Sequence, residues 1–142
     1  MSIEYEKHNQ LYKQAIGQAY SDVVIEHGKN PRNLGITPKS NAFGIIFGPC
    51  GDMMAVWLNI ENDKITDISF TTDGCMTSLV AGSMATELAM GKNINDALQI
   101  SQKDILDALC GLPDGSEHCA LLASNTLKEA LNDYLAFKEK KL

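Results

Sequence analysis

The fold turns on residues 43–72: Phe43-Gly44-Ile45-Ile46-Phe47-Gly48-Pro49-Cys50-Gly51-Asp52-Met53-Met54-Ala55-Val56-Trp57-Leu58-Asn59-Ile60-Glu61-Asn62-Asp63-Lys64-Ile65-Thr66-Asp67-Ile68-Ser69-Phe70-Thr71-Thr72. Three runs alternate with a period of two. Phe43, Ile45 and Phe47 alternate with Gly44, Ile46 and Gly48; Met54, Val56, Leu58 and Ile60 alternate with Met53, Ala55, Trp57 and Asn59; Ile68, Phe70 and Thr72 alternate with Asp67, Ser69 and Thr71. Successive strand side chains point to opposite faces, so this pattern predicts a sheet with one well-buried face. Asn62-Asp63 suits a tight hairpin between the second and third runs. The set reads as an antiparallel meander.

Helical patterns flank it. Ile3 to about Lys29 is helical in character, with Tyr20, Val23 and Val24 spaced for one face and Ser21 or Asp22 near a plausible start. Asn30-Pro31-Arg32-Asn33-Leu34-Gly35 then breaks the helix, because proline disfavours the helical state in the residue before it. Beyond Cys75, Leu79, Ala81, Met84, Ala85 and Leu88 can form one face, and Gly91 supplies a stop. A short helix or turn is expected over Ile94–Ile100. Another helix is expected over Ser101–Cys110, with Ser101 and Asp104 as a capping box. The last should run from Glu117 to Lys140 on a stripe of Leu127, Ala130, Leu131, Tyr134 and Leu135. Segregated strands and helices predict an α+β fold, a three-stranded antiparallel sheet packed against helices.

The chain has 142 residues, of which 44% are hydrophobic and 21% charged, with a net charge of −6. That is one domain's worth of chain with a core that needs no disulfides. The negative balance argues against nucleic-acid binding, which relies on Lys and Arg to displace counterions. Lys138, Lys140 and Lys141 at the end read as a solvated helix terminus. No apolar run reaches the roughly 18–20 residues of a membrane span, and the polar start lacks the features of a signal peptide. A cytoplasmic protein with reduced thiols and no membrane partner is expected.

Three of the four cysteines sit at boundaries between elements. Cys50 lies between the first two strands, Cys75 between the third strand and a helix, and Cys119 follows His118 at the opening of the last helix. A thiolate at a helix N-terminus is favoured by orphan N–H groups and the helix dipole. Gly51 and Gly74 leave room beside the backbone, Asp52 adds a hard oxygen and His118 an imidazole nitrogen. Three thiolates and one such group suit zinc or iron. The competing reading is three buried small hydrophobes, since free cysteine is among the most buried residue types. Cys110, near Leu106 and Leu109, reads as a packed cysteine. His8 and His27 read as helix-surface histidines, and Trp57 as cover for the sheet. Adjacent helical residues point about 100° apart, so His118 and Cys119 are not expected to form a direct catalytic pair. No phosphate-loop, dinucleotide, zincin or nucleophile-elbow motif is present.

From Tyr20 to Lys138 the chain resembles the IscU/NifU-type iron–sulfur scaffold family. The resemblance rests on Tyr20-Ser21-Asp22-Val23-Val24-Ile25-Glu26-His27, Asn30-Pro31-Arg32-Asn33-Leu34-Gly35, Cys50-Gly51-Asp52, Gly74-Cys75 and His118-Cys119, in the family's order. It implies a three-stranded antiparallel sheet covered by helices, over a single domain at residues 20–142 preceded by a helical extension at 1–19. It implies a scaffold or carrier rather than an enzyme. Sulfur would come as a persulfide from a cysteine desulfurase, Fe²⁺ from an iron donor and electrons from a reductant. A [2Fe–2S] cluster would be built and passed to recipient apo-proteins. The ligand positions carry over to Cys50, Asp52, Cys75, His118 and Cys119, with Cys119 as persulfide acceptor and Asp52 or His118 completing the set. Family members also bind Zn²⁺, so the alternative is a zinc-binding sulfur acceptor working with a desulfurase.

This chain departs from the family in three places. Leu112-Pro113-Asp114-Gly115-Ser116 stands where chaperone-recognised members carry Leu-Pro-Pro-Val-Lys, so Ser116 replaces the lysine. Met76 follows Cys75 where glycine is common and is expected to crowd the site. The first 19 residues extend beyond the usual start.

Overall fold

The structure, a computed structural model, describes residues 20–49 and 51–140. The expected extension over residues 1–19 and Cys50 lie outside the described residues. The described chain forms α1 (Asp22–Lys29), β1 (Ala42–Phe47), β2 (Met53–Glu61), β3 (Lys64–Thr72), α2 (Met76–Ala89), α3 (Ile94–Leu98), α4 (Gln102–Ala108) and α5 (Glu117–Lys140). No helix among the described residues is long and apolar enough to cross a membrane.

Within the helical stretch read from Ile3 to about Lys29, the start expected at Ser21 or Asp22 is where α1 begins, at Asp22. Ser21 is extended (φ −68°, ψ 164°) and caps it, its Oγ accepting from Val24 N at 3.1 Å. That capping bond satisfies one of the orphan donors of the first turn and fixes the start there. The same hydroxyl donates to the Leu109 carbonyl at the end of α4. The Asn30–Gly35 breaker then becomes a strap over α2 and β3. Arg32 N donates to Ser83 Oγ at 2.8 Å, and Asn33, at φ 61°, donates through Nδ2 to Thr86 Oγ1 at 3.1 Å. Phe70 N and Gly35 N close the strap against β3 at 2.9 Å each.

The strands pair in the order β1-β2-β3, antiparallel throughout, from Ala42↔Leu58 to Phe47↔Met53 and from Glu61↔Lys64 to Met54↔Thr72. Asn62 and Asp63 both have positive φ, 53° and 62°. Two such residues make the mirror-image turn that matches strand twist in a two-residue hairpin.

One strand faces the other way from the simplest reading of its sequence. In β1 the small residues Ala42 and Gly44 are buried, while Phe43, Ile45 and Phe47 lie on the outer face at 39%, 39% and 71% exposure. The reason is contact with α5. A Cβ on Gly44 would stand 2.5 Å from Ala130 N and 2.8 Å from Thr126 O, so only glycine lets the strand and helix backbones approach this closely. Trp57 sits on the same outer face, its ring 5.3 Å from that of Phe43.

The inner face, with Met54, Val56, Leu58, Ile68 and Phe70, packs on the helices. Each such fully buried side chain contributes about 1.5–3 kcal/mol. The face expected for α2 is also corrected: Val80 to Thr86 are all buried, while Leu79 and Leu88 are only partly so. This helix is the centre of its layer, wedged between sheet, α1 and α5. Gly82 admits the Phe70 ring, which a Cβ would meet at 2.4 Å.

Two residue readings change with it. His27 is not on a helix surface: it is 3% exposed, with Nδ1 2.7 Å from Ser83 Oγ and Nε2 3.2 Å from Glu87 Oε2. Cys110 is not packed: it is exposed and takes φ 59°. Its N–H bonds to Asp107 O, and Gly111 N bonds to Leu106 O. Those two bonds are the left-handed helix stop usually given to glycine. His8 lies outside the described residues. Elsewhere expectation and structure agree: Ser101 and Asp104 form a full capping box, and α5 spans Glu117–Lys140. Lys138 is tied down as well as solvated, pairing with Asp63 of the hairpin at 2.8 Å.

Candidate metal centre

Three chain segments meet at one end of the sheet. The β1–β2 loop brings Asp52, whose carbonyl accepts from Gly48 N at 2.6 Å, with Gly51 at φ 85° forming the turn. The end of β3 brings Cys75. There Asp73 Oδ1 accepts from Met53 N at 2.7 Å, Thr72 Oγ1 donates to Met53 O at 2.7 Å, and Gly74 N donates to Thr72 Oγ1 at 3.1 Å. These bonds hold the start of β2 and the start of α2 together, and so fix Asp52 near Cys75. The third segment is the first turn of α5, with His118 and Cys119. Ser116, at the position of the family's lysine, accepts from Cys119 N through its carbonyl at 3.1 Å.

Two hydroxyls at the start of α2 link these groups. Thr77 Oγ1 lies 2.9 Å from Cys75 Sγ and 3.3 Å from Cys119 Sγ. Ser78 Oγ lies 3.2 Å from Asp52 Oδ2 and 3.5 Å from Cys119 Sγ, with one proton to serve them both. His118 Nε2 approaches Cys119 Sγ to 3.7 Å. The two neighbours therefore do meet, contrary to the expectation from helical spacing, because they sit in the helix's first turn and a long imidazole can fold back. Sequence reasoning passed over Thr77 and Ser78. Their signal was available: two hydroxyl residues two and three positions after a cysteine that opens a helix.

The cysteines differ in setting. Cys75 caps α2 and is exposed, whereas Cys119 is 1% exposed. The Thr77 hydroxyl, more than the opposing burial, holds the Cys75 thiol below its ordinary pKa, with help from the backbone amides of Ser78 and Thr77 and the Ser78 hydroxyl. A depressed thiol is more often thiolate, the form that binds metal or attacks sulfur.

Two expectations about the site's space are corrected. Gly74 does not leave an open berth. A Cβ there would meet Ser78 Oγ at 2.6 Å and Asp52 Oδ2 at 2.9 Å, so the glycine is needed to let those groups close in. Met76 does not crowd the centre. Its sulfur packs towards Gly28 and lines a groove with Ile25 and Lys29 of α1.

Of the five residues predicted as ligands, the structure brings together Asp52, Cys75, His118 and Cys119, while Cys50 lies outside the described residues. Among the described residues no three His, Cys, Asp or Glu side chains stand ready to grip a metal ion. The two hydroxyls lie between them. The donor set itself, thiolates with one carboxylate and one imidazole, has the chemistry of zinc and iron sites.

Comparison with known proteins bears on what this centre is. Residues 19–141 match the NifU-like N terminal domain. The chain is 41% identical over 116 residues to the iron-sulfur cluster assembly scaffold protein IscU 1 of Archaeoglobus fulgidus, covering 81% of this chain and 76% of that protein. It is 38% identical over 128 residues to the iron-sulfur cluster assembly scaffold protein IscU of Rickettsia prowazekii, covering 87% and 97%. The crystal structure of a nitrogen-fixing NifU-like protein (N-terminal) from Brucella abortus has the same fold, with a TM-score of 0.67 at 16% identity over 85% of this chain and 97% of that one. With residues 19–141 of its 142 matched by the family's domain, this chain belongs to the NifU-like N-terminal domain family.

Proposed function

We propose that the chain is a scaffold on which an iron–sulfur cluster is assembled and from which it is passed to recipient proteins. The observation that carries this reading is the meeting of Cys75, Cys119, Asp52 and His118 from three separated segments at one sheet end, in a chain whose relatives are named for cluster assembly. Cluster and iron are cargo rather than fixtures. Cys75 and Cys119 serve as soft anchoring ligands, with Cys50 as the third. Asp52 or His118 completes the set. A hard carboxylate holds a soft cluster less firmly than a fourth thiolate, which suits a protein that must let its product go. The cluster class is [2Fe–2S]. Sulfur arrives as a persulfide from a cysteine desulfurase and is held on Cys119 before iron joins it. The chain works as a carrier and not as a catalyst, in a reducing compartment such as the cytoplasm, where such thiols persist.

A zinc-bound sulfur acceptor is the second reading, favoured by the mixed thiolate, carboxylate and imidazole set, which can close a tetrahedron around Zn²⁺. Anaerobic incubation with ferric iron and sulfide separates the two. A scaffold gains visible absorption that Cys75→Ala and Cys119→Ala weaken. A zinc protein keeps one equivalent of zinc through purification and gains no such absorption.

A further inference from the structure

The helices pack on the inner face of the sheet and leave the outer one bare. There Phe43 pairs with Trp57, Ile45 with Ala55 and Phe47 with Met53, three apolar rows across β1 and β2. In β3, Ser69 continues the first row and Thr71 the second. None of these eight side chains is charged, in a chain whose residues are 21% charged. Charge returns only at the rim, with Asp67 towards the hairpin and Asp73 towards the centre, both exposed. An apolar, charge-depleted middle inside a polar rim is the anatomy of a protein interface. The chain itself covers one margin: Thr37 Oγ1 lies 2.6 Å from Ser69 Oγ, and both residues are buried. The β1 side stays open, with Phe47 71% exposed.

We infer that this face docks the same face of a second copy, joining two chains sheet to sheet in a two-fold dimer. Charge complementarity selects the occupant. A partner that buried its own charges here would find nothing to pair them with, whereas a second copy brings a face as free of charge as this one. The net charge of −6 on each chain opposes association only weakly, because the acidic groups lie outside the contact and salt screens them. The area fits as well. An aromatic side chain carries about 150–250 Å² and isoleucine somewhat less, so the exposed parts of Phe43, Ile45 and Phe47, with Ile36 at the margin, come to roughly 400 Å². A stable interface takes about 800 Å² from each partner, a little over half of it apolar. The copies meet face to face and not edge to edge. Asp133 Oδ2 accepts from Phe43 N at 3.1 Å and so sets a carboxylate on the open edge of β1, a device that blocks strand addition. Such a dimer is self-complementary, and it leaves both centres free, since α2 and α5 lie on the other side of the sheet. The inference does not depend on what those centres hold.

The test is analytical ultracentrifugation of the full chain between about 1 and 100 µM. Reductant and chelator are present throughout, so that neither a disulfide nor a shared metal ion can join the copies. The mass should rise with concentration from the chain's 15.5 kDa to near twice that value. Trp57 is the one tryptophan of the chain and lies in the contact, so its emission should shift to the blue over the same range. Ile45→Lys and Phe47→Lys place a charge on exposed positions and should fold as wild type by circular dichroism. Each should raise the dissociation constant at least about thirtyfold, the loss expected of a central interface side chain. Met90→Lys, an equally exposed apolar position at the end of α2, is the control and should leave the dimer intact. A chain that stays at 15.5 kDa up to the highest concentration overturns the second copy and leaves the face to another occupant. A dimer that forms without a change in Trp57 emission, or that withstands both lysine variants, lies elsewhere on the molecule and overturns the assignment of this face.

Discussion

Replacing Gly44 by alanine probes the joint on which the centre depends. β1 leads into the loop of Asp52, and α5 opens with His118 and Cys119, so the distance between strand and helix sets how those groups meet. An added Cβ would lie 2.5 Å from Ala130 N, 2.8 Å from Thr126 O and 3.0 Å from Ala130 Cα. All three are backbone atoms of a 24-residue helix, which cannot yield as a side-chain tip would. Relief requires the helix or the strand to move by a substantial part of an ångström, and such overpacking costs about 1–3 kcal/mol. Because only backbone stands in the way, Gly44→Ala should fall at or above the upper end, about 3 kcal/mol. Gly28→Ala is the control. Its Cβ would find ordinary contacts, 3.5 Å from the Met76 sulfur and 3.7 Å from Val80, inside α1. There alanine should stabilise by about 0.5–1 kcal/mol through helix propensity. Urea unfolding followed by circular dichroism measures both, and the two midpoints should move in opposite directions. A Gly44→Ala midpoint equal to wild type would refute the close approach of β1 to α5.

Four further outcomes follow from other parts of the structure. Cys110→Gly should stabilise by about 1 kcal/mol, because glycine accepts the left-handed φ of 59° without the penalty a Cβ brings, and an exposed side chain gives up little packing; urea midpoints check this, and cluster formation should be unchanged. His27 has its pKa lowered below the ordinary 6.5, first by burial and then by Arg32, against the opposing pull of Glu87 and Glu26. Its folded form resists protonation, so its stability contribution is fully present above about pH 6.5 and is lost as pH falls through the lower folded value; unfolding curves from pH 7.5 to 5 should flatten in His27→Gln relative to wild type. Asp52→Ala should make a reconstituted cluster several-fold slower to leave for a chelator, read from the decay of visible absorption, since the hard ligand that loosens it is gone. Cys75→Ala and Cys119→Ala should each remove most of that absorption while leaving the unfolding free energy, from urea titration, within about 1–2 kcal/mol of wild type.

Much of the fold was legible in the sequence because it is encoded locally. The period-two runs gave the three strands, Asn62-Asp63 their hairpin, and Ser101 with Asp104 a capped helix, each through interactions among near neighbours. What was misread depended on partners far along the chain. Phe43, Ile45 and Phe47 look like a core face, and only the Gly44–α5 contact turns them outward. His27 carries no sequence mark of burial, because Ser83 and Glu87 lie more than fifty positions away. Cys110 looked apolar by its neighbours, while the helix stop it occupies depends on backbone geometry.

The centre divides in the same way. The sequence by itself determined which chemistry was on offer: cysteines at element boundaries, a carboxylate and an imidazole beside them, and glycines where backbones must pass closely. Only the tertiary structure decided how those groups stand to one another. Residue type and local propensity cannot measure depth, which depends on everything packed around a side chain. So it took the assembled layers to make Cys75 exposed and Cys119 buried, and to set the Thr77 hydroxyl between their sulfurs.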